Sequence, residues 1–233
     1  MNTTKMILPS RKYAIISGLS LIAMALAAGY AYGYVYSSLV VPDNPALTIE
    51  NIRSLPDVFL GGVIGWIVIF LLDILVAWGL HQFLKDAHPG ISLATALVRV
   101  MYAWVLGIAI LHLFAVADMV QGTPTAAQVM HELKAFESLW SQGLILFGVH
   151  LFGLGILTLR ARDIPNLWGG LLLFAGLCYS GLHLAKELAP MYLGQIVRIE
   201  MALSLPMALA EIGLAFWLIL KGGKTDLVTY NPS

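Results

Sequence analysis

Residues 58–84 read VFLGGVIGWIVIFLLDILVAWGLHQFL, an apolar run whose one charged residue is Asp73. A bilayer core of about 30 Å takes roughly 20 helical residues, so this segment is long enough to cross a membrane. Five more runs of that kind surround it, giving spans at about 13–36, 58–84, 91–117, 137–159, 165–184 and 201–220. Turn and capping residues separate them: VPDNP, HPG, QGTPT, RARDIPN, APMYLGQ and KGGK. The expected fold is an all-α polytopic bundle of six transmembrane helices, one integral membrane domain over residues 1–233. Connections near 37–57 and 118–136 are each long enough for a short surface helix.

Composition agrees with lipid as the solvent. Apolar residues make up 59% and charged residues 11%, with mean hydropathy +0.84, whereas soluble domains are roughly one quarter charged. Thirteen cations balance 13 acids, so no basic excess points to nucleic acid and the bilayer is the partner expected. The single cysteine, Cys178, forms neither an internal disulfide nor a redox pair, and is expected in the core.

Where the cations sit sets the orientation. Lys5, Arg11, Lys12, Lys85, Arg160, Arg162, Lys221 and Lys224 fall on one side, and Arg53, Lys134, Lys186 and Arg198 on the other. The richer side is expected to be cytoplasmic, which places both termini there and the protein in a bacterial cytoplasmic (inner) membrane. A cleaved signal peptide ending at Ala25–Ala27 is the alternative, disfavoured because the apolar run continues past that point.

At 1.5 Å per residue, Asp73 lies about 17 Å from the cytoplasmic end of its helix, Arg99 about 12 Å, and His150 and Glu211 about 14 Å. Four ionisable residues from four helices therefore share a layer. An unpaired Asp or Arg at mid-helix costs about 2.5–3.5 kcal/mol, so inward-facing groups at one depth are expected to meet. Arg99 is the natural hub, its fork able to take Asp73 or Glu211 through two parallel bonds. The remaining carboxylate and His150 would then share a proton.

Plainer readings stand beside this one. Asp73 and Arg99 can be only an interhelical clamp, His150 a hydrogen-bonded core histidine, and Glu211 a partner for backbone freed by Pro206. Metal at Asp73, His150 and Glu211 is weakened by Arg99 in the same layer and by the lack of paired ligand spacing on any helix. Haem between His112 and His183 lacks a matching inner pair, and His183 with Glu187 reads instead as a local i, i+4 pair. No cofactor is expected.

Tyr30, Tyr32, Tyr34 and Tyr36 read as an interfacial belt, the alternative being that two of the four line an entrance, since alternate helix positions face nearly opposite ways. Trp66 and Tyr102 are candidate pocket walls beside the layer. Gly61, Gly62 and Gly65, with Gly148, Gly153 and Gly155, read as close helix packing sites.

The chain resembles a known family. SSLVVPDNP, LLDILVAWGLHQFLK, ALVRVMYAWVLG, FGVHLFGLG and AEIGLAFWLILKG, spread over residues 11–223, are similar to the bacterial multi-pass family called domain of unknown function 4386. The resemblance implies that the family's landmark acid, arginine, histidine and glutamate correspond to Asp73, Arg99, His150 and Glu211. His112 and His183 fall outside that pattern, and the family name brings no activity.

Three functions stay open. The leading one is an intramembrane binding site for a small or amphipathic molecule, moved or sensed with a proton, in which Arg99 holds an anionic group. The second is an enzyme acting on a lipid or isoprenoid substrate by acid-base or metal-assisted chemistry. The third is a structural or accessory membrane protein whose polar layer sets helix register.

Overall fold

The computed structural model describes residues 9–223, so Lys5 and Lys224 of the charge count lie outside the described residues. Helix α1 (Pro9–Ala28) continues as a π-helix over Gly29–Tyr36 and a last α-turn, Ser37–Leu39. The other helices are α2 (Pro45–Ser54), α3 (Pro56–Leu84), α4 (Pro89–Met119), α5 (Ala126–Arg160), α6 (Asn166–Leu188) and α7 (Leu193–Leu220), the last entered through a 3-10 turn, Pro190–Tyr192. All but α2 are long and apolar enough to span a membrane. Each spanning helix packs on the next, and α7 packs back on α1, so the six form a closed ring.

The helices start where their caps stand. Asn44 accepts from Leu47 N–H ahead of Pro45, His88 accepts from Ile91 N–H ahead of Pro89, and Thr125 with Gln128 forms a reciprocal capping box. The surface helix expected near 37–57 is α2, whose Thr48, Ile49 and Ile52 are buried. No separate helix fills 118–136. Instead α5 begins at Ala126, because Val129, Met130, Leu133 and Phe136 give those turns a buried stripe that a hydropathy window misses. In the same way α7 starts at Leu193 rather than 201, since Arg198 and Glu200 dilute its first turns.

The π-helix widens the turn so that Tyr30 stacks on Tyr34 (centroids 6.0 Å apart) and Tyr32 on Tyr36 (5.7 Å). Tyr30, Tyr32 and Tyr34 are exposed, Tyr32 with one edge against Trp140 of α5, whereas Tyr36 is buried against Phe136. One of the four tyrosines, Tyr36, thus leaves the belt.

Small residues set the tightest contact. A Cβ on Gly148 would strike Ser180 and the Gly176 carbonyl, and one on Gly155 would lie 2.9 Å from the Gly169 carbonyl, so α5 and α6 meet backbone to backbone. Gly153 packs on Thr95, and Gly61, Gly62 and Gly65 on Tyr30, Val35 and Ala31. Cys178 is partly exposed rather than in the core.

Arg11 closes the ring. Its guanidinium donates to the carbonyls of Leu218 (3.0 Å), Ile219 (2.5 Å) and Gly222 (2.7 Å), in and just past the last turn of α7. Arg11→Ala is expected to lower stability by about 1–2 kcal/mol, several charge-assisted bonds lost at a partly wet site. Thermal unfolding in neutral detergent would test this, and an unchanged midpoint would make the tie ornamental.

Candidate functional site

Lipid leaves no solvent for a mid-helix charge, so the inward faces of α3, α4, α5 and α7 decide where the four polar residues go. They meet at Arg99. Asp73 and Arg99 are fully buried and His150 is 1% exposed. Arg99 Nε donates to Asp73 Oδ1 at 2.9 Å, and Nη2 lies 2.8 Å from the same oxygen. The expected pair of parallel bonds is therefore absent. Both donors converge on Oδ1, and Asp73 Oδ2 is buried without a partner among the described residues.

Glu211 is held less closely. Its Oε1 is 3.4 Å from Arg99 Nη1, and its side chain is 22% exposed while Arg99 is fully enclosed. Pro206 lies inside α7 one turn and a half before it, and ahead of that proline Ile196 is the helix's one buried residue. The half of α7 on the Arg53 side thus buries little of its surface, beside a proline that lacks its helical N–H.

His150 has a defined role. Its Nδ1 lies 2.9 Å from the Thr95 carbonyl, which only accepts, and its Nε2 3.0 Å from Arg99 Nη1, which only donates. The ring is therefore neutral, with its proton on Nδ1. It shares no proton with a carboxylate, contrary to the sequence-based expectation, because Arg99 rather than an acid faces Nε2.

Other residues complete the first layer of contacts. Met24 Sδ accepts from Arg99 Nη2 at 3.8 Å, and the Phe147 ring lies 5.4 Å from the guanidinium carbon. Phe147 sits one turn before His150 on the same face, a signal legible in FGVHLFG. Met24 carries no such signal. Tyr102 packs on Phe147 (5.1 Å), while Trp66 joins Phe136 (5.1 Å) and Trp140 (4.9 Å) in an aromatic cluster toward the Arg53 side.

Below the layer, toward the Arg11 side, a cavity of about 10 Å³ is lined by His81, Ser92, Thr95 and His150 among apolar residues. It has room for about one water. His81 Nδ1 in turn lies 3.0 Å from Ser92 Oγ.

Arg99 stands among Asp73, His150 and Glu211, at the point where a shared metal would have to sit. Both His150 nitrogens are committed, and no group of three or more metal-binding side chains occurs among the described residues. The residues fit a metal poorly. His112 and His183 also have protein partners. His112 Nδ1 is 2.6 Å from Glu132 Oε2. His183 Nδ1 is 2.8 Å from Ser141 Oγ, and its Nε2 is 3.2 Å from Glu200 Oε1. Glu200, which also pairs with Lys186 at 2.7 Å, replaces the Glu187 expected from helical spacing.

The model of the family described as domain of unknown function DUF4386 matches residues 16–222. The chain belongs to this family. An uncharacterized protein of the archaeon Archaeoglobus fulgidus is 30% identical over 170 residues, 73% of this chain and 89% of that relative. No solved structure matches. This DUF4386 chain is thus a multi-pass integral membrane protein with buried polar residues at the centre of its helix ring.

Proposed function

We propose that the Asp73, Arg99, His150 and Glu211 layer is an intramembrane binding site for a small or amphipathic molecule, in a protein of the bacterial cytoplasmic membrane whose Arg11 side faces inward. One observation carries this reading: Glu211 reaches a fully buried guanidinium through a long 3.4 Å bond while its own side chain stays 22% exposed. A network built only for register would be expected to close around all of its charges. Asp73 Oδ2, buried without a partner among the described residues, is a second sign of incompleteness.

The enzyme reading draws less support. His150, the histidine such chemistry would call on as base or metal ligand, has no free nitrogen. The structural reading is favoured by one pair alone, Asp73 with Arg99, which is enclosed enough to act as a clamp.

The test is native mass spectrometry with metal analysis on purified wild type, Glu211→Gln and Arg99→Ala. A small molecule that copurifies with wild type and is lost from both variants is the expected result. Wild type carrying nothing, with Glu211→Gln unaltered in every property, would leave the layer as architecture.

A further inference from the structure

The binding-site reading says nothing about the sign of the guest's charge, and the donor inventory of Arg99 does. A guanidinium has five N–H donors and no acceptor. Here Nε and one Nη2 hydrogen point to Asp73 Oδ1. The second Nη2 hydrogen points to Met24 Sδ. The two Nη1 hydrogens go to His150 Nε2 and Glu211 Oε1. Every donor is directed at a protein acceptor, so Arg99 has none left for a carboxylate or phosphate. The sequence-based picture of Arg99 gripping an anionic guest does not survive this count.

What the layer leaves open is acceptor capacity. Asp73 Oδ2 is buried and unpartnered, and Glu211 makes its 3.4 Å contact with Arg99 and no other ion pair among the described residues. Two carboxylates face one guanidinium, and His150 adds a neutral ring whose one proton is already given to Thr95. The nearest other acid-base cluster on α6 and α7, His183 with Lys186 and Glu200, is internally paired. It also lies about 16 Å along α7 from Glu211, eleven residues at 1.5 Å each. It supplies no spare cation to the layer.

We infer that the guest is a cation bearing an ammonium group on an apolar body, and that Glu211 is its counter-ion. The inference rests on the binding-site reading above. An ammonium supplies the N–H donors or the positive charge that the open carboxylate oxygens lack, and a negatively charged guest would meet only acceptors. The walls suit the same chemistry. Phe147 already faces the guanidinium, and Tyr102 and Tyr179 pack on Phe147 at 5.1 and 5.2 Å, giving aromatic faces of the kind that attract organic cations. The sparsely buried part of α7 ahead of Pro206 offers the approach.

Three probes of one shape and different charge separate the possibilities: benzyltrimethylammonium, benzyl alcohol and phenylacetate, each titrated onto the full chain in neutral detergent and followed by calorimetry and thermal unfolding. The ammonium is expected to bind and raise the unfolding midpoint. Its affinity should fall about tenfold or more in Glu211→Gln, the scale of one lost close charge pair, and stay unchanged in Glu50→Gln, which removes the same charge from an exposed position on α2. Glu211→Asp, which keeps the charge, should keep part of the binding and guards against a glutamine variant that does not fold. Binding of phenylacetate in preference, or of the alcohol as tightly as the ammonium, would overturn the cationic guest while leaving a binding site. Binding of none of the three to folded wild type would overturn the site itself.

Discussion

Arg99→Met should cost the bundle about 3–5 kcal/mol, the penalty for leaving a buried charge without its partner. Asp73 is fully enclosed, and Arg99 supplies both a hydrogen bond and an ion-pair contact to one of its oxygens. Removing the guanidinium also strips His150 Nε2 of its donor. Asp73→Asn combined with Arg99→Met is expected to recover most of that loss, because neutral groups of similar volume no longer need a counter-charge. Detergent-titrated unfolding of the single and double variants measures both. Recovery of fold with recovery of guest binding would reduce the pair to a clamp, and recovery of fold alone would place it in the site. A single variant as stable as wild type would mean that Asp73 had not needed Arg99.

The second large effect belongs to a glycine. A Cβ on Gly176 would stand 2.6 Å from the Gly148 carbonyl oxygen and 2.6 Å from Phe152 N, backbone atoms that cannot rotate away. Gly176→Leu must therefore separate α5 from α6 along their whole contact, at a cost of about 3 kcal/mol or more. Loss of folded protein on size-exclusion chromatography is expected. Gly170→Ala is the control on the same helix, since nothing lies within 4 Å of its Cβ position. Equal behaviour of the two variants would refute the close-packing account.

Six spans and one polar layer were legible because lipid makes both rules severe. Length and hydropathy mark a span, and a constant rise converts residue number into depth, so Asp73, Arg99, His150 and Glu211 could be placed together without knowing a single angle. Pairing was not legible. That Nε and Nη2 converge on one oxygen of Asp73, and that Nη1 faces His150, depends on helix rotation, which hydropathy averages away. The extension of α5 to Ala126 was hidden because an amphipathic stripe beyond the membrane is not hydrophobic on average. Spacing within one helix matches His183 to Glu187, but Glu200 reaches it from α7, a neighbour that sequence order alone does not reveal. The π-helix at Gly29–Tyr36 left no sign beyond the alternating tyrosines.

The closed ring also orders events during synthesis. Helices α3 and α4 are consecutive, so Asp73 and Arg99 emerge as neighbours and can enter the bilayer already neutralised by one another. Glu211 comes with the last described helix, after that pair has formed, and α1 must keep a flank turned to lipid until α7 arrives and Arg11 latches onto its end. The layer thus divides its labour by birth order. Its early members secure insertion, and its latecomer, bound most weakly, is the one left free to change partners.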